Sequence, residues 1–473
     1  MFPRTLDKIA LGRYHTTMSD LIQPRVLKGF RDFLPAAETE RALLVEKLTA
    51  TFRSFGFVPI DTPALEYSEI LLRKSDGETE KQVFRFEDNG GRDVSLRFDL
   101  TVPFARFVAE HKDELYLPFK RYHIAKVWRG EKPQAGRYRE FVQCDFDVVG
   151  SDSASVDFEI LSLMKTALSA IGVDAVTIRL SHRGVFNRFL SNRGLSCASD
   201  DVLRAVDKLA KVGRDEVRAS IVEACSSAEA NAARAGELAD EILSFVSGAN
   251  APAGAGLSSD DFDATLDLME RLAGGPAEDT KRLRDIRSFM KATGIEASFV
   301  LDPSITRGLD YYTGVVYETF LNDLPSIGSV CSGGRYDNLA GLYTKERITG
   351  VGSSIGLDRL LAGLAELGLS TGRACFTDAV VFCQDASLTG AYLAAAARLR
   401  ALGVYCEVFP DEKKMAQQYA WAEKKGVPWG VLVADVPASE GDGSVTLKNL
   451  KTRETVDRAT YADAARSILS ARA

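Results

Sequence analysis

The stretch from Arg121 to Asp147 carries the side chains whose types and spacing best suit chemistry on a charged substrate. Between Lys120 and Arg139 there are seven basic residues and one acid, Glu131. Two arms of strand-like alternation, YHIAKVW and REFVQCDFD, flank the loop RGEKPQAGRY, and this pattern predicts a β-hairpin. Because the planar forks of arginine suit phosphate oxygens, arginines gathered on such a hairpin predict a binding site for an anionic substrate.

The other polar side chains of interest are isolated arginines, carboxylates, amides and phenols on strands and turns. In chain order they are Arg129, Glu131, Arg137, Gln143, Asp147, Arg307, Asp310, Tyr311, Tyr312 and Arg359. Any one of them alone is better explained as part of a surface ion pair. Their joint occurrence favours a site that works by positioning and charge neutralisation, as phosphoryl or nucleotidyl transfer does.

Several other kinds of site lack their sequence patterns. The chain has no GxSxG, no HExxH and no GK[ST], the patterns of serine hydrolases, zinc proteases and Walker-type phosphate loops. The glycines of ITGVGSSIG, at positions 350, 352 and 356, do not match GxGxxG and are better explained by tight strand packing. The four histidines and seven cysteines show no metal-ligand spacing, so we expect no protein-bound structural metal.

Hydrophobic spacing predicts the elements that must position these groups. Leu44, Leu48 and Phe52 form one apolar stripe and predict a helix from Ala36 to about Phe55. VFRFED and DVSLRFDL, joined by the turn DNGGRD, predict a second hairpin, and VPFARFVAEHK predicts a helix that precedes the basic hairpin. Strands joined by hairpins favour an antiparallel sheet over a doubly wound parallel one.

Two later regions differ in character from this sheet. Residues 200–285, within a helix-rich region, hold 18 acidic and 10 basic residues, a net of −8, so the rest of the chain carries about +1 of the total −7. The last ~95 residues alternate strand and helix patterns, which predicts a small α/β domain. In that domain a cluster at a helix start could hold phosphates and exposed bases: Lys413, Lys414, Gln417 and Gln418.

The composition limits the number of domains and the classes of protein that the sequence allows. With 473 residues and 45% hydrophobic residues, the chain can form roughly two to four domains. It has no long apolar run, which predicts no membrane span, and its odd cysteine count without a CxxC pair predicts reduced thiols in a cytoplasmic protein. The first 20 or so residues do not resemble a secretory signal. An unstructured extension or a translation start at Met18 explains them better than an organelle-targeting segment, which stays open.

From Lys28 onward the chain resembles the class II histidyl-tRNA synthetases over nearly its whole length. RGEKPQAGRYREF, residues 129–141, is similar to the family's motif 2, and GVGSSIGLDRL, residues 350–360, is similar to motif 3. RGLDYY at 307–312 and SGGRYD at 332–337 are similar to its two histidine-specific signatures. The segment around Pro63 resembles motif 1, the element that forms the dimer.

This resemblance implies an α+β fold: the class II synthetase antiparallel sheet with flanking helices, a helical insertion, and a C-terminal α/β anticodon-binding domain. It implies five parts along the chain. They are an N-terminal extension (1–23), a first catalytic part with motifs 1 and 2 (24–183), a helical insertion domain (184–296), a second catalytic part with the histidine signatures and motif 3 (297–370), and the anticodon-binding domain (376–473).

The resemblance also implies roles for the site residues. The catalytic residues are Arg307 and Arg129, on either side of the ATP α-phosphate. The histidine-binding residues are Asp99, Thr101 and Gln143 at the amino group, Asp147 and Tyr311 at the imidazole, and Tyr312 lining the pocket. The ATP-binding residues are Arg129, Glu131, Arg137, Phe141 and Arg359, with Phe141 against adenine. A carboxylate and a phenol at the two ring nitrogens favour an imidazole, since a hydrocarbon isostere would leave them unpaired.

The implied activity is histidine–tRNA ligation in two steps. Histidine and ATP, with Mg²⁺ on its phosphates, give histidyl-adenylate and diphosphate, and the terminal ribose of tRNA(His) then takes the histidyl group. The implied partners are therefore L-histidine, ATP and tRNA(His), and the implied assembly is a homodimer through the motif 1 region. Lys132, in the motif 2 loop, faces the tRNA end in this scheme.

The sequence departs from the family pattern at two places. Asp358 stands where the family usually has glutamate, and a shorter carboxylate there changes how Arg359 is held. The segment DLTVPF at 99–104 accompanies a short motif 2 loop with Gln134 and Ala135, so which tRNA nucleotide the loop contacts stays open. For the acidic insertion, a solvated helical domain and a clamp on the tRNA acceptor stem are equally good interpretations.

Two alternative functions remain to be weighed. A synthetase-like paralogue that regulates histidine biosynthesis or binds uncharged tRNA would lack ligase activity. It is disfavoured because such proteins typically lose the ATP-contacting arginines or the C-terminal domain, and this sequence keeps both. A class II synthetase for another amino acid, such as proline or threonine, is disfavoured because RGLDYY and GGRYD are histidine signatures.

Overall fold

The computed structural model describes residues 22–72, 82–132, 136–227, 234–248, 257–305, 311–337, 341, 343–433 and 443–472. Its strands are β1 (Val58–Pro59), β2 (Leu65–Tyr67), β3 (Arg85–Glu87), β4 (Asp93–Leu96), β5 (Phe119–Trp128), β6 (Glu140–Val149), β7 (Val176–His182), β8 (Phe299–Leu301), β9 (Val315–Leu321), β10 (Cys331–Tyr336), β11 (Gly350–Gly356), β12 (Ala379–Val381), β13 (Cys406–Val408), β14 (Trp429–Val433), β15 (Ser444–Asn449) and β16 (Thr455–Thr460). Its α-helices are α1 (Pro35–Ser54), α2 (Ser68–Leu72), α3 (Thr101–His111), α4 (Ala154–Ala170), α5 (Arg183–Ser191), α6 (Ser199–Val206), α7 (Leu209–Val212), α8 (Arg214–Ser227), α9 (Ala235–Ser247), α10 (Phe262–Leu272), α11 (Glu278–Thr293), α12 (Leu357–Glu366), α13 (Thr389–Ala401), α14 (Met415–Lys425) and α15 (Tyr461–Ser470).

The main sheet contains the predicted basic hairpin as its β5–β6 pair. Within the described ranges this sheet has eight strands in the order β1-β5-β6-β11-β10-β9-β7-β8. The pairs from β5 through to β7 are antiparallel, whereas β1 with β5 and β7 with β8 run parallel. The antiparallel sheet predicted from hairpin connections is therefore present at the centre, with parallel pairs at the two edges.

Helices α1 and α4 cover one face of this sheet. The buried residues of α1 include Leu44, Leu48 and Phe52, the stripe predicted from the sequence. The Phe52 ring lies 5.0 Å from that of Phe146 on β6, so α1 packs on the back of the hairpin. Fully burying such a side chain stabilises the fold by about 1.5–3 kcal/mol. Because successive strand residues point to opposite faces, the neighbours of Phe146 along β6 point away from the helices.

A three-stranded sheet, β2-β4-β3, lies beside the hairpin and includes the second predicted hairpin as β3 and β4. The buried Arg97 ties this sheet to β5, since its Nε donates to the Lys126 carbonyl over 3.0 Å and its Nη1 donates to the Thr62 carbonyl over 2.5 Å. Helix α3 follows directly and corresponds to the predicted helix before the basic hairpin. Arg97 thus joins the segment that leads into α3 to strand β5.

Helices α5 to α11 lie in the chain between β7 and β8, where the sequence becomes acidic and helix-rich. Their aromatic core includes Phe186, Phe189 and Phe245, with the last two rings 4.3 Å apart. Arg188 donates two hydrogen bonds to the Asp279 carboxylate, from Nε over 3.1 Å and from Nη2 over 2.9 Å. This part of the chain therefore has its own helix-on-helix packing.

The C-terminal unit has a second sheet with the strand order β13-β12-β14-β15-β16 and a separate apolar core. It is the predicted α/β unit, with β16 as a strand that the sequence pattern did not predict. Gln418 is fully buried: its Nε2 donates to the carbonyls of Cys383 and Lys413, and its Oε1 accepts from the Cys383 N–H. The expectation that Gln418 contacts exposed bases is therefore wrong, because both ends of its amide bind the domain itself.

Within the described ranges, no helix is both long enough and apolar enough to cross a membrane. All seven cysteines carry free thiols. The predicted N-terminal extension falls almost wholly on residues 1–21, outside the described ranges. The limits of the five predicted parts remain predictions.

Candidate functional site

The open face of β6 carries a row of polar side chains at every second position. Gln143, Asp145 and Asp147 alternate with the buried Cys144 and Phe146, as expected for a strand with one apolar face. On the neighbouring strand β11, Gly356, Ser354 and Gly352 stand directly opposite these three polar residues. The REFVQCDFD pattern thus places an amide and two carboxylates on one wall.

Asp147 lies at the inner end of this row and is 2% exposed. Its Oδ1 accepts a hydrogen bond from the Tyr336 hydroxyl over 2.7 Å, and its Oδ2 lies 2.7 Å from Nη2 of Arg121. Arg121 is fully buried and stands opposite Asp147 across the β5–β6 pair, so the two charges are desolvated together. Burial raises the pKa of Asp147, and Arg121 opposes that rise.

Gly352 makes room for this carboxylate. A Cβ on Gly352 would lie 1.9 Å from Oδ1 of Asp147, closer than any two such atoms can approach. A Cβ on Gly350 would likewise lie 2.4 Å from the Tyr336 ring. The interpretation as tight strand packing is therefore correct for Gly350 and Gly352, where a site carboxylate packs against Gly352. It is wrong for Gly356, where a Cβ would meet no atom closer than 3.9 Å.

Ser354 links the other two polar residues of the row. The Gln143 Nε2 donates to the Ser354 hydroxyl oxygen over 2.8 Å, and the Ser354 hydroxyl hydrogen-bonds to Asp145. With these hydrogen bonds formed, Oε1 of Gln143 and Oδ1 of Asp145 remain buried and without a hydrogen-bond partner among the described residues. Burial raises the pKa of Asp145 to about 7; Arg121 opposes the rise and Asp147 adds to it.

Asp99 and Thr101 reach the same pocket from the start of α3. Asp99 is 1% exposed, its Oδ1 accepts the Val102 N–H over 3.1 Å, and the Tyr311 hydroxyl lies 3.5 Å from its Oδ2. Burial raises the pKa of Asp99 to about 6, opposed by the Val102 N–H and by the positive charge of Arg129. A cationic ligand stabilises the charged form of a buried carboxylate whose pKa is raised, so such a carboxylate favours binding of a cation.

Three tyrosines close the pocket opposite the carboxylates. The rings of Tyr311 and Tyr312 lie 4.9 Å apart, and those of Tyr311 and Tyr336 lie 6.0 Å apart. Burial raises the pKa of the Tyr311 hydroxyl well above its usual range, with Tyr312 and Asp99 adding to the rise and Thr101 opposing it. All three phenols therefore stay protonated and can donate hydrogen bonds at neutral pH.

Arg129 and Phe141 lie at the outer end of the row, where β5 and β6 lead into the loop. The Arg129 Nε donates to the Phe98 carbonyl over 3.0 Å, and its guanidinium carbon lies 5.2 Å from the centre of the Phe141 ring. Glu131, in the loop, accepts through its backbone carbonyl from Nε of Arg139 over 3.2 Å. At the outer end, therefore, the Arg129 guanidinium is fixed by its hydrogen bond to the Phe98 carbonyl and lies beside the Phe141 ring.

Arg359 lies in the first turn of α12. Its Nη1 donates to the Ser329 carbonyl over 2.6 Å. A Cβ on Gly136 would lie 3.8 Å from Cγ of Arg359, so the loop residue before the exposed Arg137 is in van der Waals range of this side chain. Asp358 accepts a hydrogen bond from the Val142 N–H over 2.7 Å and also pairs with Arg31. The hydrogen bond to Val142 joins α12 to β6.

The structure brings most of the predicted site residues to this one face. Asp99, Thr101, Gln143, Asp147, Tyr311 and Tyr312 border the inner pocket, and Arg129, Phe141, Arg137, Glu131 and Arg359 belong to the outer end. Arg307 and Asp310 lie outside the described residues, so the position of Arg307 remains a prediction. Sequence analysis gave no role to four residues that the structure places here: Arg121, Asp145, Ser354 and Tyr336. The period-two alternation of REFVQCDFD could have identified Asp145, whereas the other three depend on contacts between strands.

Comparisons with known proteins find relatives that match nearly the whole chain. A family model described as histidyl-tRNA synthetase matches residues 29–360, and one described as an anticodon binding domain matches residues 378–469. The chain is 61% identical to the histidine–tRNA ligase of Treponema denticola over 93% of this chain and 96% of that protein. It is 46% identical to the histidine–tRNA ligase of Rhodopirellula baltica over 92% of this chain and 96% of that protein.

Among solved structures, the chain is similar to the histidyl-tRNA synthetase of Nostoc sp.. The two superpose with a TM-score of 0.81 at 29% sequence identity, covering 95% of this chain and 100% of that one. This match confirms the predicted fold class, a class II synthetase sheet with flanking helices and a C-terminal anticodon-binding domain.

Proposed function

Because the chain belongs to the histidyl-tRNA synthetase family and is an ATP-dependent histidine–tRNA ligase, we propose that histidine is activated on the open face of β6. The observation that carries this proposal is a group of buried polar atoms without partners in the described part of the chain. They are Oε1 of Gln143, Oδ1 of Asp145, Oδ2 of Asp147, and Nε and Nη1 of Arg121. Buried polar groups left unpaired cost stability, and a polar substrate that pairs with them removes that cost.

The inner pocket suits the amino acid. Asp99, Thr101 and Gln143 receive the ammonium group, because the Asp99 carboxylate and the unpartnered Gln143 Oε1 are acceptors on the same side of the pocket. Asp147, Tyr311 and Tyr312 bound the imidazole end. A hydrocarbon side chain of the same size would leave buried carboxylates facing carbon, which disfavours it strongly.

The outer end suits ATP. Phe141 stacks on the adenine and Arg129 meets the α-phosphate, with Arg137, Arg359 and Glu131 toward the remaining phosphates and the nucleotide. Arg129 is already held through Nε to the Phe98 carbonyl, which leaves its terminal nitrogens to face an oxyanion without further ordering. Arg307 completes the set from the opposite side of the α-phosphate.

The reaction then follows from this arrangement in two steps. A histidine carboxylate oxygen attacks the α-phosphorus of ATP, the bond to the bridging oxygen breaks, and diphosphate leaves. The terminal ribose hydroxyl of tRNA(His) next attacks the carbonyl carbon of histidyl-adenylate, and AMP leaves. Arg129 and Arg307 stabilise the charge that grows on the α-phosphoryl oxygens in the first step.

Mg²⁺ enters, in this proposal, on the phosphate oxygens of ATP. Within the described part of the chain, no group of three His, Cys, Asp or Glu side chains could hold a metal ion by itself. Magnesium is commonly held by substrate phosphates together with one or two carboxylates, and Glu131 is the acidic residue of the basic loop. Chelating Mg²⁺ would therefore stop catalysis without changing the fold.

The alternative of a regulatory paralogue without ligase activity is disfavoured. The high identity to histidine–tRNA ligases runs through both matched domains, including the C-terminal one. A cytoplasmic location fits the seven free thiols, because reduced cysteines persist in a reducing compartment.

We propose a homodimer through the motif 1 region around Pro63. The neighbouring three-stranded sheet exposes three large apolar side chains: Leu65, Tyr67 and Phe86. Apolar residues grouped in this way on a surface are typical of protein–protein contacts. Sedimentation equilibrium of the full chain distinguishes a species of 51.5 kDa from one of twice that mass.

Histidine-dependent exchange of labelled diphosphate into ATP tests the proposed roles. We expect Arg129→Ala and Arg307→Ala to lower exchange by roughly 10²–10³-fold, the range for removing one group that stabilises transition-state charge, while histidine still binds. Arg284→Ala, on the exposed side of α11, is the matched control and leaves exchange unchanged. Near-normal exchange in Arg307→Ala would contradict its catalytic assignment.

A further inference from the structure

Arg31 lies in the segment that precedes α1, and three groups from other parts of the fold and from its own segment hold its guanidinium. Its Nη2 pairs with Oδ1 of Asp358, in the first turn of α12. The guanidinium carbon lies 3.7 Å from the centre of the Tyr138 ring and 4.3 Å from the centre of the Phe33 ring. A planar guanidinium can lie against aromatic rings and pair with a carboxylate at the same time, which a lysine ammonium does less well.

Asp358 connects Arg31 to two elements of the site. It is 4% exposed, and its second oxygen, Oδ2, accepts the Val142 N–H over 2.7 Å. The next residue of α12 is Arg359, proposed for the outer phosphates of ATP, and the residue before Val142 on β6 is Phe141, proposed for the adenine. Through this one carboxylate, Arg31 is connected to residues proposed for both ends of ATP.

Tyr138 connects Arg31 to the loop of the basic hairpin. It directly follows Arg137, the exposed loop arginine proposed for the phosphates. The residue after it, Arg139, donates its backbone N–H to the Gly29 carbonyl over 2.8 Å, two positions before Arg31. The segment that carries Arg31 thus lies along the part of the loop that leads back into β6, and the contact with Tyr138 is made where the loop meets that segment.

The pair between Arg31 and Asp358 affects position more than stability. The Arg31 side chain is 30% exposed, so water screens its charge. Its Nε is buried and has no hydrogen-bond partner among the described residues, which costs stability. Such a pair contributes little to the free energy of unfolding, but it fixes the direction of a carboxylate that is itself buried. The contact therefore suits a residue that places others.

Resting on the proposed function, we propose that Arg31 is a positioning residue for the activation of histidine by ATP. It fixes Tyr138 of the loop relative to Asp358 of α12. The spacing of their chain neighbours Arg137 and Arg359, which come from distant parts of the sequence, is thereby set before ATP binds. The phosphates then meet guanidinium groups that are already placed, and little ordering is left for the transition state.

Steady-state diphosphate exchange with Arg31→Ala tests this role. The KM for ATP should rise about tenfold, the lower end of the range for losing a hydrogen bond to a charged group, while the KM for histidine stays within about twofold. The matched control is Arg41→Ala, because Arg41 lies 4.9 Å from the centre of the same Phe33 ring but pairs with Glu38, over 2.6 Å. It should leave both constants unchanged. An unchanged KM for ATP in Arg31→Ala, or an equal rise in both KM values, would overturn the proposal.

A double variant separates positioning from direct contact with ATP. If Arg31 acts through Asp358, Arg31→Ala adds little to the KM for ATP once Asp358→Asn is present, and the double variant resembles the more affected single variant. If Arg31 itself contacted a phosphate, the two effects on the KM would multiply, and that result would overturn the positioning role. Arg31→Met, which keeps apolar atoms against the two rings, carries the same test where Arg31→Ala is not folded.

The two levels of inference fail in different ways. If the wild type shows no histidine-dependent exchange, the proposed function itself fails. If the wild type exchanges normally and the Arg31 variants keep the wild-type KM for ATP, the role of Arg31 alone fails. A smaller folded fraction lowers kcat and leaves both KM values unchanged, so a purely structural role of Arg31 gives a different result from the proposed one. A urea titration of each variant confirms that it is folded before its constants are compared.

Discussion

Replacing Asp157 with alanine removes a buried carboxylate that pairs with arginines from two distant parts of the chain. Asp157, in the first turn of α4, is fully buried. Arg335 of β10 donates from Nε to its Oδ1 over 2.8 Å, and Arg282 of α11 donates from Nη1 to its Oδ2 over 2.7 Å. Asp157 thus joins helix α11 to strand β10 of the main sheet through one side chain.

The size of the effect follows from burial. Arg335 is 2% exposed and Arg282 about one-fifth exposed. Asp157→Ala leaves Arg282 its pair with Asp152 and leaves the buried Arg335 only longer contacts, with Asp152 at 3.4 Å and Asp337 at 3.5 Å. Breaking a buried pair by removing one partner typically costs about 3–5 kcal/mol when the remaining charge is left unpaired, so the contacts that Arg335 keeps place the expected loss near the lower end of this range. Burial raises the pKa of Asp157 in spite of both arginines, which indicates that desolvation dominates here.

Urea unfolding followed by circular dichroism measures this cost. The matched control is Asp267→Ala: Asp267 also pairs with an arginine of α11, Arg284 over 2.9 Å, but the two side chains are 65% and 43% exposed. Exposed pairs contribute about 0–1 kcal/mol, so the control should lose little. A loss in Asp157→Ala as small as that of the control would refute the reasoning from burial.

A double variant separates the pair from its parts. Asp157→Leu combined with Arg335→Met removes both charges and fills the space with apolar atoms, and buried pairs replaced in this way are often close to neutral. We therefore expect the double variant to be more stable than Asp157→Ala by at least about 1 kcal/mol, a non-additivity typical of contacting residues. The Arg335 carbonyl also accepts the N–H of Thr313, the residue after Tyr312, so the single variant should raise the histidine KM as well.

Two further predictions concern the pocket. Gly352→Ala places a Cβ within 1.9 Å of Oδ1 of Asp147 and should lower the affinity for histidine roughly ten- to hundredfold. The control is Gly390→Ala, which has open space around the new Cβ and should leave the affinity unchanged. Isothermal titration with histidine measures both affinities. Burial raises the pKa of Asp99 from 3.8 to about 6, so the folded state binds this proton more tightly than the unfolded chain does. The contribution of Asp99 to the free energy of unfolding therefore falls as pH rises from about 4 to about 6. Asp99→Asn should therefore raise the free energy of unfolding by up to about 3 kcal/mol above pH 6 and by little near pH 4; an equal gain at both pH values would contradict the assignment.

Local sequence patterns were enough to predict the elements that build the site. Alternation with a period of two gave both arms of the basic hairpin, and the stripe of Leu44, Leu48 and Phe52 gave the helix behind it. Both signals act over a few residues, because they depend on one element burying one face. Gly350 and Gly352 of β11 were also interpreted correctly as packing positions.

The groups that complete the pocket depend on contacts that no local pattern records. Tyr336 reaches Asp147 from a strand 189 positions later, and Ser354 reaches Gln143 from 211 positions later. Their side chains are ordinary for buried strands, so the resemblance of the segments SGGRYD and GVGSSIGLDRL to family motifs marks the two segments but gives neither residue a role. Only the strand order β6-β11-β10 brings them to the carboxylates, and that order is a property of the whole sheet.

Counting charge along the hairpin overestimates the surface left for phosphate. Lys120 pairs with Glu159, Lys126 pairs with Glu140, and Arg121 is buried against Asp147, so three of the seven basic residues are neutralised by carboxylates. The loop, in contrast, keeps Arg137 exposed. A charge taken out of water requires a counter-charge, whereas an exposed one does not. Burial therefore divides one hairpin into an inner end with buried carboxylates and an outer end whose exposed Arg137 suits the phosphates of ATP in the proposed function.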